Sequence, residues 1–277
     1  MCRWVAWLGK PVFMEDLISR PEHSLIHQSR DAHCCKTAIN ADGVGVAWYG
    51  ARPEPGIYKD TRPAWSDPNL LQIARQIAAP VFLAHVRAST GSATSYNNCH
   101  PFAVGRWSFM HNGMVGGFGK LRRRAEMGID EDIYAHRYGA TDSEAVFLTA
   151  LGLGLDASPL DAMAHAVRQL EGMAAEIGAT PGMRFTSCWS DGHTLYAARY
   201  ASDAFAPSMY YQRSAEGTLI VSEPLDSDGG SWTEVPPNTA VIATQADFSV
   251  VPFMSDVATP NVVAQGEMPR TLSVTGA

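Results

Sequence analysis

The first group in this chain equipped for chemistry is the thiol of Cys2. Once an aminopeptidase removes Met1, Cys2 carries a nucleophilic side chain and a free α-amino group on one Cα. An α-amine with a pKa of about 7.7–8.0 can take the thiol's proton and later return it to a leaving group. Further along, Arg87, Asn112-Gly113 and Asp142 are polar at places where the flanking residues predict strand or helix ends.

A thiol that cleaves a side-chain amide such as that of glutamine needs donors for the oxyanion that forms. The Asn112 side-chain amide and the Gly113 N–H can supply two, and a glycine lets substrate approach the backbone closely. Arg87 can grip an α-carboxylate bidentately, and Asp142 can face an α-ammonium. Each residue taken alone also has a plain structural reading. Arg87 would be an ion-pair partner, Asn112-Gly113 a turn, and Asp142 a helix cap. Their weight comes from occurring together and in order.

The elements that must position these groups follow from periodicity and punctuation. Residues 2–8 are mostly apolar and predict a strand that ends at Gly9 and Pro11, with a short helix over 12–18. Residues 20–42 read as polar and irregular, and 44–49 as a strand. Asp67-Pro68 predicts a helix start that Pro80 would close. A strand over 81–86 runs into Arg87, and a strand over 107–110 would be closed by a turn at Asn112-Gly113. Residues 113–119 read as a flexible linker into a basic helix at Lys120–Arg124 with a solvated face. Helices are expected over 142–151 and 160–177. Hairpins follow, with strands over 185–190, 194–200, 209–213, 218–221, 240–244 and 248–251. Strands first, helices in the middle and hairpins last make an α+β protein.

At 277 residues with 46% hydrophobic and 18% charged, the chain fits one large globular domain. A formal charge of −7 argues against nucleic acid or an acidic membrane as partner. The most apolar stretch, 145–155, is too short to span a bilayer, and no signal peptide is read at the N-terminus. The five cysteines, Cys2, Cys34, Cys35, Cys99 and Cys188, show no Cys-x-x-Cys spacing, and a reduced cytoplasmic setting is expected. His33-Cys34-Cys35 with Cys99-His100 is a poor zinc set because Cys34 and Cys35 are adjacent. No metal and no cofactor are expected. His85, His100 and His111 flank the proposed pocket, where a buried structural role is the simplest reading.

The ordered motifs Met1-Cys2-Arg3, Asn40-Ala41-Asp42-Gly43-Val44-Gly45, His85-Val86-Arg87-Ala88, Asn98-Cys99-His100-Pro101-Phe102, His111-Asn112-Gly113 and Ala140-Thr141-Asp142-Ser143-Glu144 are a specific combination. Together with Ser222-Glu223-Pro224-Leu225, they resemble the class II glutamine amidotransferase domain of the N-terminal-nucleophile hydrolases. The resemblance implies a four-layer αββα sandwich over residues 2–255, with a frayed tail at 256–277. It implies Cys2 as nucleophile, Asn112 and Gly113 as oxyanion hole, and Arg87, Thr90 and Asp142 as substrate ligands. The opening Cys2–Gly9 is similar to the small single-domain branch that includes the ergothioneine-pathway γ-glutamyl amidohydrolase. Three positions depart. Trp4 stands where that branch has His, Val44 where it has Trp, and Ala88 where synthase-linked members carry an aromatic. The expectation is hydrolysis of a small γ-glutamyl amide through a Cys2 thioester. The alternatives are ammonia delivery to a separate synthase subunit, or a non-catalytic binding protein on the same fold.

Overall fold

The computed structural model describes residues 2–33, 39–89, 91–226 and 231–254. Its strands are β1 (Arg3–Phe13), β2 (Val44–Tyr49), β3 (Gly56–Asp60), β4 (Ala78–Val86), β5 (Phe102–Val104), β6 (Trp107–Val115), β7 (Met183–Ser190), β8 (Leu195–Ala201), β9 (Tyr210–Arg213), β10 (Gly217–Val221), β11 (Thr233–Glu234), β12 (Thr239–Ala243) and β13 (Phe248–Pro252). The helices are α1 (Glu15–Ile18), α2 (Leu25–Arg30), α3 (Pro68–Gln76), α4 (Phe118–Met127), α5 (Glu131–Tyr134), α6 (Asp142–Gly152) and α7 (Pro159–Glu176). One sheet runs β11-β9-β10-β1-β4-β2-β3 and the other β13-β12-β8-β7-β6-β5, and the pairings are antiparallel.

Alternation along the strands sorts side chains into three buried layers. On β1, Trp4, Ala6 and Leu8 meet Met110, Cys188 and Val241 of the other sheet. Val5 and Trp7 point the other way, among Ile18 and Leu25 of the short helices and Ala74 of α3. The outer face of the second sheet, with Phe109, Phe185 and Trp189, packs on Phe147 of α6 and Val167 of α7. The result is the expected αββα sandwich. Helix α3 begins as its sequence dictates, with Asp67 Oδ1 accepting from Asn69 N and Leu70 N at 3.0 and 3.2 Å. The basic face of α4 is solvated, with Arg122 paired to Glu126 and Arg124 to Glu176, while Leu121 and Ala125 are buried.

Several local expectations are corrected. The first strand does not stop at Gly9. It continues to Phe13 after a register shift between Leu8 and Val12, so the helix expected over 12–18 is reduced to α1. Gly9 is a close-approach position, because a Cβ there would fall 2.2 Å from Glu216 O and 2.6 Å from Gly217 Cα. Pro80 does not end α3 but lies within β4, opposite that irregular stretch and outside the ladder with β2, where its missing N–H costs nothing. The polar segment before residue 42 contains α2, whose N-cap Ser24 accepts from His27 N.

The largest correction falls on Asn112-Gly113, which is not a turn. Strand β6 runs through it, with Asn112 opposite Thr186 and Gly113 opposite Phe185, and the chain turns only at Gly116-Gly117. The partner strand β7 matches the whole length of β6, and that pairing overrides the local turn preference.

Candidate active site

Strand β1 lies in the middle of its sheet, between β10 and β4, and its alternation carries Cys2 to the inter-sheet face that Trp4 occupies. Strand β4 does the same for His85 and Arg87, since Leu83 faces that layer, and β6 for Asn112, two residues beyond Met110. Cys2, Arg87 and Asn112 therefore converge at one end of the inter-sheet layer. Asp142 closes this end, because its Oδ2 accepts from Val115 N, at the end of β6, at 2.8 Å.

Cys2 is half-buried, and its Sγ lies 3.7 Å from Ala88 O, to which it donates. Burial pushes the thiol up, while the Ala88 bond and the Arg87 and Arg3 guanidinium groups pull it down. Burial thus favours the thiol over the thiolate.

The Arg87 fork is already held in this state. Nη2 donates to Ser92 Oγ at 2.7 Å and Ser89 Oγ at 3.2 Å, and Nη1 to Asp42 O at 3.3 Å. A substrate carboxylate would take the place of the serine contacts. Asp42 steadies the same segment, its Oδ2 accepting from Ser89 N at 2.7 Å. Asp142 is not the cap of α6; Thr141 is, accepting from Glu144 N at 3.2 Å. Each Asp142 oxygen takes one backbone donor, Val115 N or Ser143 N, which leaves lone pairs for an ammonium.

Asn112 is 1% exposed, and neither its Nδ2 nor its Oδ1 has a partner among the described residues. A buried amide with both ends unpaired costs stability unless something binds there. The need for glycine at 113 has a different cause from the one expected. A Cβ there would lie 1.9 Å from Arg184 O and 2.4 Å from His111 Nε2, so β7 and the His111 ring exclude a side chain. Thr90 lies outside the described residues.

Trp4 Nε1, His85 Nδ1 and both His100 ring nitrogens are buried without partners among the described residues, and the two imidazoles lie 4.2 Å apart. Burial first, and neighbouring positive charge with it, lowers His85 to about 3 and holds His100 well below its usual value. An unfolded chain protonates these rings below about 6.5, whereas the folded chain does so only at much lower pH. Stability should therefore be full above 6.5 and fall as pH drops toward about 3. Urea midpoints measured at intervals across that window test this, and His85→Gln should flatten the slope.

His111 is fixed differently. Its Nε2 donates to Arg184 O at 3.2 Å and its Nδ1 accepts from Ser143 Oγ at 2.9 Å, which sets one neutral tautomer.

Sequence reading overlooked the residues that hold Cys2 from behind. Arg3 Nη1 donates to Cys2 O at 3.0 Å, and Arg3 Nε lies 2.8 Å from Glu223 Oε2. Glu223 Oε1 in turn takes the His23 ring at 2.5 Å and His33 N at 2.8 Å. A usable signal existed. Arg3 occupies an apolar position of a central strand, and a charge there demands a buried counter-charge.

Cys34 and Cys35 of the weighed zinc set lie outside the described residues, while Cys99 Sγ donates to the carbonyls of Ser95 and Asp60. His23, His33 and Glu223 bring ligand-type atoms within 4.8 Å of one another, but Glu223 is taken up by Arg3, His23 and the His33 N–H. Among the described residues, no helix is long and apolar enough to cross a membrane.

The family model for class-II glutamine amidotransferases matches residues 23–246. A Saccharomyces cerevisiae protein named "Probable glutamine amidotransferase DUG3" is 29% identical, over 92% of this chain and 85% of its own length. The gamma-glutamyl-hercynylcysteine sulfoxide hydrolase of Mycolicibacterium smegmatis is 28% identical, over 91% of this chain and 100% of its own. Among solved structures, a glutamine aminotransferase class-II domain protein from Silicibacter pomeroyi superposes with a TM-score of 0.74 at 42% identity. The match covers 92% of this chain and 100% of that one. Glutamine phosphoribosylpyrophosphate amidotransferase from B. subtilis shares the fold alone, with a TM-score of 0.63 at 12% identity, over 91% of this chain and 49% of that one.

Proposed function

Since this chain belongs to the class-II glutamine amidotransferases, we propose that it hydrolyses a γ-glutamyl amide through a thioester on Cys2. The observation that carries this reading is the Asn112 amide on β6, buried with neither end paired among the described residues, in the inter-sheet layer to which β1 carries Cys2. A relative that matches along its whole length is named as a γ-glutamyl hydrolase, which supports hydrolysis over transfer.

The steps balance as follows. With Met1 removed, the Cys2 α-amine takes the thiol proton, and Sγ attacks the γ-carbonyl carbon. Asn112 Nδ2 and Gly113 N–H stabilise the oxyanion. The C–N bond breaks, and the leaving amine collects the proton from the Cys2 ammonium. Water then adds to the thioester, giving its proton to the same amine, and collapse expels the thiol and frees glutamate. Arg87 and Thr90 hold the α-carboxylate and Asp142 the α-ammonium, which places the γ-carbonyl carbon over Cys2.

The test is glutamate release from glutamine and from a panel of γ-glutamyl conjugates. Release from conjugates but not from glutamine supports the hydrolase. Release from glutamine points to ammonia delivery to a synthase partner, and silence on the whole panel overturns catalysis. In the same assay Asn112→Ala should lower kcat by ~10²–10³ with little change in KM, as loss of one oxyanion donor does. An effect confined to KM would remove Asn112 from the oxyanion role.

A further inference from the structure

Asn98 is 2% exposed, and both ends of its side-chain amide are engaged. It closes a single 3-10 turn over Tyr96–Asn98, with its N–H donating to Ser95 O at 3.0 Å. The next residue, Cys99, donates from Sγ to Asp60 O at the end of β3, at 3.5 Å. From this fixed base Asn98 reaches in two directions. Its Nδ2 donates to Ala93 O at 2.8 Å, and its Oδ1 accepts from Ala140 N at 2.8 Å.

Each of these backbone groups adjoins a group assigned to the substrate. Ala93 follows Ser92, whose Oγ accepts from Arg87 Nη2 at 2.7 Å, and precedes Thr94, which donates to Asp42 Oδ1 at 3.3 Å. Ala140 lies two residues before Asp142. Residues 92–94 and 138–140 belong to no strand or helix, so their backbone groups turn to side chains for partners. On the Asp142 side, Glu144 accepts from Tyr138 N at 3.1 Å and Gly139 N at 2.8 Å, and Arg137 Nη1 steadies it at 2.5 Å. A Cβ on Gly139 would fall 2.6 Å from Asn97 O and 2.7 Å from Asn98 Oδ1, so this stretch packs directly on the turn that carries Asn98. Asn98 thus ties the carboxylate-binding side of the site to its ammonium-binding side.

We propose that Asn98 is a positioning residue that sets the separation of Arg87 and Asp142, so that the α-carboxylate and α-ammonium of one γ-glutamyl group are gripped together. This rests on the γ-glutamyl hydrolase reading above. Arg87 follows β4 of the first sheet, whereas Asp142 is bonded to Val115 of β6 in the second, so no hydrogen-bonded ladder fixes the distance between them. A ligand that carries both charges gains from both groups only where their spacing matches its own. A ligand that carries one of them tolerates drift.

The test uses L-glutamate, the product common to every γ-glutamyl amide, and glutarate, which lacks the α-ammonium. Titration calorimetry of the wild type should show glutamate bound more tightly by about tenfold or more, as a charge-assisted contact to Asp142 requires. Asn98→Ala should cut that preference by about fivefold or more, chiefly by weakening glutamate. A variant that merely folds less well binds fewer equivalents of ligand but keeps the ratio. Asn98→Ser, whose hydroxyl can serve one stretch but is too short to span both, should show the same loss, and it decides the matter should the alanine variant fail to fold. A ratio unchanged from wild type overturns the positioning role and leaves the γ-glutamyl reading intact. No preference for glutamate in the wild type overturns that reading and the positioning role with it.

Discussion

Cys2→Ala should abolish glutamate release, with turnover falling by ~10⁴-fold or more, because the variant keeps the binding groups but has no atom to form the thioester. The substitution removes one sulfur at a half-buried position whose polar contact is a single long bond to Ala88 O. The thermal midpoint should therefore move little, which separates chemistry from folding. A companion experiment isolates the amine. An uncleaved N-terminal extension leaves the thiol in place but converts its base into an amide. Activity should then fall by ~10²–10⁴, the usual weight of general-base catalysis, and return when the extension is removed. The need for a base is sharpened by burial, which keeps the thiol protonated. Turnover that survives in Cys2→Ala would end the thioester mechanism outright.

Glu223→Ala should cost roughly 3–5 kcal/mol of stability, the range for breaking a buried ion pair from one side. Arg3 is fully buried and Glu223 is 2% exposed, so the guanidinium left behind has little water to turn to. The His23 ring and the His33 N–H lose their acceptor in the same stroke. Glu223→Gln keeps an acceptor oxygen and should be milder. Urea unfolding of the three proteins checks this, and a Glu223→Ala midpoint within ~0.5 kcal/mol of wild type would show that the pair carries no such weight.

Much of the architecture was legible because the strands alternate cleanly and the two long helices repeat apolar residues at helical spacing. Where reading failed, longer-range pairing had overruled a local signal. Asn-Gly is a strong turn dipeptide, yet at Asn112-Gly113 a full-length partner strand holds it in a ladder. Gly9 and Pro11 look like a stop, yet a close backbone approach at Gly9 and an irregular stretch opposite Pro80 let β1 continue. The convergence of Cys2, Arg87, Asn112 and Asp142 was readable from residue type and order. What each touches was not. The serine contacts of Arg87, the Val115 bond of Asp142 and the Glu223 partner of Arg3 join residues from 2 to 220 positions apart. No periodicity encodes such contacts.

The central place of β1 also bears on which parts of the molecule are able to move. A strand flanked on both sides opens only when the sheet itself comes apart, so the backbone beside Cys2 belongs to the most cooperative unit of the fold. Ser89, Ser92 and Thr94, by contrast, are tied to Arg87 and Asp42 by side-chain hydrogen bonds rather than by a ladder. Cys2 is thus held by the most tightly laddered strand of its sheet, and the Arg87 side chain by hydrogen bonds that local opening alone can break.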